Sequence, residues 1–457
     1  MLLSLGKVYR NWLQFYALIV FVGLIAGLGA ILFRELIAIF HNIFFYGQFS
    51  IFYDVLKHAA PSPWGLGIII IPVIGAALVA FLVKHFAPEA KGHGVPEVMD
   101  AIYYHKGIVR PVVAVIKALA SSISIGSGGS VGREGPIMQI GSAFGSTIGQ
   151  WVRVADWERI TLIACGAGGG IAATFNTPFG GILFALEIML PELSARTIIP
   201  VCIATAIATY TSYLYFGSAP FIPFATHAVL QMHLFQICSY LILSLILGLA
   251  SAVFIQAIYV AEDIFDIIPG NYYSRHMLGM LLLGVSMYLM MREFGHYYIQ
   301  GVGYATIIDV LAETLTHPGF LLFLAILKLI DTAITLGSGG SGGVFSPLLF
   351  IGATLGGSFT GIANYFFPEM QMNLQLGALV GMASMVGAST GAVLTAIMMT
   401  AELINDFTII LPLMITVAIA YATRRALMKD SVYTLKLSRR GHPIPDSLTS
   451  RLHVMHG

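Results

Sequence analysis

Residues 12–33, 65–83 and 239–261 contain no charged side chain. Each run is about as long as the ~20-residue helix needed to cross a hydrocarbon core. Lipid offers backbone N–H and C=O groups no partner, so such runs must close their hydrogen bonds as helices. The chain is 57% hydrophobic and 10% charged, too little charge to cover a soluble domain of 457 residues. The reading is an all-α polytopic membrane protein. No small-residue cleavage site follows the first run early, so that run reads as a retained helix and not a leader. The net charge of +1 excludes a basic field for nucleic acid. The scattered histidines lack metal spacing, Cys165, Cys202 and Cys238 read as small core residues, and no cofactor is expected. Lys7 and Arg10 precede the first run, and Arg424, Arg425, Lys429, Lys436, Arg439 and Arg440 follow the last. The positive-inside rule places both termini in the cytoplasm. The polar tail after Arg440, with His442, Pro443 and Pro445, is too short for a regulatory domain, although the closing RLHVMHG is compatible with the start of one.

Glycines cluster at residues 126–141, 166–181 and 337–357. Broken helix is tolerated at membrane depth only where protein packs it or water lines it. Two of these stretches align without a gap: VIKALASSISIGSGGSVGREGPIMQIG, residues 115–141, and ILKLIDTAITLGSGGSGGVFSPLLFIG, residues 326–352. The offset from Gly126 to Gly337 is 211, and it pairs Lys117 with Lys328 and Pro136 with Pro347. Residues 166–187 match 381–402 at an offset of 215, ending on Glu187 and Glu402. Two matches in one order indicate a duplication. The halves are read as residues 1–220 and 221–440, followed by a short tail at 441–457.

Duplicated halves with broken helices point to a transport site at their interface. A helix N-terminus inside the membrane presents free N–H groups and the positive end of the macrodipole, which suits an anion. GREGP (132–136) and GVFSP (343–347) are the candidates. Packing alone accounts for glycines such as Gly166 to Gly170. It does not account for Glu134, an ionisable group at membrane depth.

GHGVPE at 92–97, GREGP, GVFSP and Tyr433 in SVYTLKL, taken together, resemble the CLC family of chloride channels and chloride/proton antiporters, of the prokaryotic type without a C-terminal CBS pair. The resemblance implies two inverted-topology helical repeats around a central anion pathway. It also implies a homodimer in the bilayer of a prokaryotic inner membrane, with one pathway per subunit for chloride, other halides or nitrate. Glu134 becomes the gating glutamate, and the amides of Gly132, Arg133, Glu134, Val344, Phe345 and Ser346 line the anion's path, with the Tyr433 hydroxyl below. A carboxylate and chloride compete for one cradle, so opening should favour acid and high external anion.

Two positions depart from the family pattern. His93 stands where many members carry serine; its imidazole N–H could replace the hydroxyl, or the ring could turn away. Ile188 follows Glu187 where antiporters often carry a second, proton-passing glutamate. An isoleucine carries no proton, so the sequence leans to a gated, voltage- and pH-sensitive chloride channel. The alternative is an antiporter whose inner proton path uses His93, Glu187 and water; a fluoride-selective relative is a third reading. Glu187 also admits a structural role, since Glu402 occupies the matching end of the other half. An enzyme is disfavoured: no Gly-Lys-Ser/Thr follows GSGGS, and no catalytic triad or HExxH is present. A cation-coupled nutrient transporter would share the broken helices but not the pairing of GREGP with GVFSP.

Overall fold

The computed structural model describes residues 2–223 and 234–444, with side chains from Trp12 onward. The side chains of Lys7 and Arg10, Pro445 and the closing RLHVMHG lie outside the described residues. Among the described residues there are seventeen α-helices and no strand. They are α1 (Leu2–Tyr46), α2 (Ile71–His85), α3 (Val95–Tyr104), α4 (Val112–Gly126), α5 (Glu134–Val152) and α6 (Asp156–Phe175). Then come α7 (Pro178–Phe184), α8 (Ala195–Phe216), α9 (Leu234–Ile267), α10 (Tyr272–Phe294), α11 (Tyr304–Leu311) and α12 (Pro318–Gly337). The chain closes with α13 (Phe345–Phe366), α14 (Leu374–Thr390), α15 (Val393–Ile404), α16 (Ile410–Leu427) and α17 (Thr434–Arg439).

Eight helical segments among the described residues are long and apolar enough to span a membrane, and they contain all three charge-free runs. The protein is a multi-pass integral membrane protein. Along α1, Val20, Leu24, Leu28 and Leu32 are exposed while Ile19, Val22, Ala26, Ala30 and Phe33 are buried. The i, i+4 spacing puts the exposed set on one stripe, an apolar face suited to lipid. The interior is built from α5, α6, α13 and α14, where small residues let backbones approach.

The duplication appears as matched contacts. Lys117 on α4 donates to the carbonyls of Ala90 and Gly92 at 3.0 and 2.7 Å, and Lys328 on α12 donates to those of Ile299 and Gly301 at 2.8 and 2.7 Å. Gly129 N–H bonds the Ser124 carbonyl at 2.8 Å and Gly340 N–H bonds that of Thr335 at 2.8 Å. The turns pivot on Gly128 (φ 110°) and Gly339 (φ 118°), a backbone region that a side chain opposes. The second alignment is equally physical. A Cβ on Gly141 would overlap the Gly166 carbonyl, and one on Gly352 would overlap that of Gly381.

We predict that Gly166→Ala, whose Cβ meets the Gly141 carbonyl oxygen on α5, destabilises the protein by about 3 kcal/mol, the upper range for overpacking. Gly29→Ala on α1, with only Phe144 nearby at 3.8 Å, should stabilise by about 0.5 kcal/mol through helix propensity. Melting temperatures of the two variants in detergent check the contrast.

Candidate functional site

GREGP and GVFSP each start a helix, α5 at Glu134 and α13 at Phe345. Pro136 and Pro347 sit in the first turn, where a missing N–H costs nothing. The two starts are tied together. Gly132 N–H donates to the Gly343 carbonyl at 2.7 Å, and Gly343 N–H donates to that of Gly132 at 2.6 Å. Two positive helix ends therefore converge on one point, buried among Val344, Phe345 and Ser346.

The Glu134 side chain lies at that point. Its Oε2 accepts from Ser346 N–H at 3.3 Å, and its Oε1 accepts from the Ser346 hydroxyl. A third donor is the Tyr304 hydroxyl, 2.6 Å from Oε1 and 2.5 Å from the Ser346 hydroxyl. Glu134 is 3% exposed and Tyr304 fully buried. The sequence reading missed Tyr304. It stands in GVGYA at the start of α11, and no motif or charge marked it; only the fold aims its ring inward.

The other expected residues distribute as follows. Gly132 is scaffold, because its amide is committed to Gly343 and not free for an anion, a correction to the expectation. Arg133 contributes position through its backbone. Its guanidinium lies over the rings of Phe175, Phe221 and Tyr304 at 5.0, 5.0 and 5.6 Å. His93 is buried, its Nδ1 has no hydrogen-bond partner, and its ring centroid is 5.7 Å from that of Tyr433. The structure thus pairs the GHGVPE turn with SVYTLKL. That pairing is clamped by Glu97, which takes two bonds from Arg440 at 2.8 Å with Lys436 3.5 Å away. Tyr433 is buried beside Val432, whose carbonyl accepts from Tyr259 at 2.7 Å.

Glu187 has a structural partner set. Its carboxylate accepts from the Leu394 and Thr395 amides at 2.9 and 2.7 Å and from the Thr395 hydroxyl at 2.6 Å, capping α15. Glu402 reciprocates on α7 through the Phe179 and Gly180 amides at 3.0 and 2.6 Å. Ile188 is buried and apolar. Among the described residues no group of histidine, cysteine and carboxylate side chains could hold a metal.

Convergent helix ends at the centre of a duplicated, lipid-facing bundle define a membrane transport protein. The family model described as "Voltage gated chloride channel" matches residues 75–425. The chain belongs to the CLC family. It is 32% identical over 390 residues to the H(+)/Cl(-) exchange transporter ClcA of Vibrio parahaemolyticus, covering 82% of this chain and 80% of that protein. The ClcA exchanger of Salmonella typhimurium is 30% identical over 426 residues, covering 92% and 87%. Among solved structures, a slow cyanobacterial Cl-/H+ antiporter superposes with a TM-score of 0.81 at 25% identity, over 93% of this chain and 98% of its own. A CLC-type fluoride/proton antiporter shares the fold with a TM-score of 0.74 at 22% identity, over 93% and 98%.

These relatives overturn the expectation of a gated channel. That expectation rested on Ile188, and it yields to relatives that match across most of the chain and are named exchangers.

Proposed function

We propose that this protein exchanges chloride for protons across a membrane. The carrying observation is the Glu134 carboxylate, seated at two converging helix N-termini and held by one amide and two hydroxyls. Its oxygens occupy the place of a chloride ion there. Protonation removes the charge that the helix ends and hydroxyls hold, so the side chain yields and chloride enters. One group thereby links proton binding to anion passage. Val344, Phe345 and Ser346 supply amides to the outer part of the path. Tyr433 and His93 face the inner part, the hydroxyl and an imidazole N–H serving as donors. Both Glu187 oxygens are engaged on α15, so the inner proton supply is better assigned to water around His93. We further assign halves at 1–220 and 221–440, a homodimer with one pathway per subunit, and cytoplasmic termini in a prokaryotic inner membrane.

Purified protein in liposomes tests the exchange. With a chloride gradient and clamped voltage, chloride efflux should drive protons uphill. In Glu134→Ala chloride should still flow while uphill proton movement falls to background. Proton movement that persists in Glu134→Ala would refute the assignment.

Tyr304→Phe removes one hydroxyl and keeps the ring. With one donor fewer on the ionised carboxylate, protonation becomes easier, so acid activation of chloride flux should move to higher pH. An unchanged pH profile would deny Tyr304 this role.

A further inference from the structure

Arg133 is 2% exposed, and its Nε and Nη2 are buried with no hydrogen-bond partner. A guanidinium in that state is costly unless an anion or acceptor meets it. Its place makes the cost larger, since it caps α5, at the end of the helix where a cation is disfavoured. The three aromatic rings beneath it satisfy its face and not its edge N–H groups.

Arg133 also lines a cavity of about 20 Å³, whose wall includes Arg34, Tyr53, Val55 and Val302. Arg34 comes from α1, its guanidinium stacked 3.9 Å from the Phe216 ring. A second cavity, also about 20 Å³, shares Tyr53, Val55 and Val302 and reaches Tyr304, the donor to Glu134. The two spaces lie under the 47–64 segment and adjoin the cradle through Arg133 and Tyr304. Other cations of the second wall are already matched. Lys57 is 3.3 Å from Asp54, and His58 is 2.6 Å from Asp309. Neither Glu35 nor Asp54 lines the space between the arginines.

We propose that the cavity between Arg34 and Arg133 is a binding site for one chloride-sized monovalent anion, separate from the cradle at Ser346. A space of this size holds about one water or a monatomic ion. Two guanidinium groups supply directed donors, and Tyr53, Val55 and Val302 complete the wall. The site is a waiting station. An anion held there stands beside Glu134 and enters the cradle when the carboxylate leaves. This rests on the reading of Glu134 as the competitor for the anion.

Bromide soaked into crystals of Glu134→Gln, located by anomalous diffraction, tests both claims separately. Peaks at the Ser346 amide and between Arg34 and Arg133 are expected. A peak at Ser346 alone overturns the waiting station and leaves the cradle standing. Absence of both overturns the reading of Glu134 as well. In the Glu134→Gln/Arg34→Gln variant the outer peak should vanish and the Ser346 peak remain. In liposomes, Arg34→Gln alone should raise half-saturating external chloride about tenfold, the scale of one charged hydrogen bond, with saturating turnover and the chloride-to-proton ratio unchanged. Half-saturation equal to that of the parent would also overturn the proposal.

Discussion

The paired hydrogen bonds between Gly132 and Gly343 hold together two helix starts that would otherwise repel, since each presents the positive end of a dipole. Placing them face to face at membrane depth is unfavourable unless negative charge sits between them. Glu134 supplies that charge from within the chain, and Ser346 and Tyr304 direct donors at it. In the proposed reading, the electrostatics that would attract chloride to this cradle are the same that hold the tethered carboxylate.

The surrounding structure keeps this arrangement rigid by repeating each device. Lys117 on α4 and Lys328 on α12 hold, through backbone carbonyls, the loops that lead into α3 and α11. Glu187 and Glu402 cap one another's partner helices. Glycine contacts at Gly141–Gly166 and Gly352–Gly381 let α5 meet α6, and α13 meet α14, at backbone distance. A cradle formed where two helix starts meet requires such support, because its donors shift only when whole helices shift.

Much of this was legible in the sequence, because its signals were covalent neighbours or fixed spacings. The spans followed from charge-free runs, and the duplication from offsets of 211 and 215. Glu134 was identifiable because a lone acid among glycines has few structural explanations. Tyr304 was not, since a tyrosine beside a glycine carries no mark until tertiary packing aims it. The engagement of the Gly132 amide was equally hidden, because its partner, the Gly343 carbonyl, lies in the other half of the chain. Ile188 misled in a different way. A missing carboxylate argues against one proton route, yet relatives across most of the chain are named exchangers.

The central claim is competition between the Glu134 carboxylate and an anion for one cradle, and proton linkage of anion binding tests it most directly. Chloride would be titrated calorimetrically into purified protein in buffers of different ionisation enthalpy, yielding protons taken up per chloride bound. The account predicts proton uptake with chloride binding in the parent and none in Glu134→Gln. Chloride binding to the parent without proton uptake at any pH, or uptake that survives in Glu134→Gln, would contradict it.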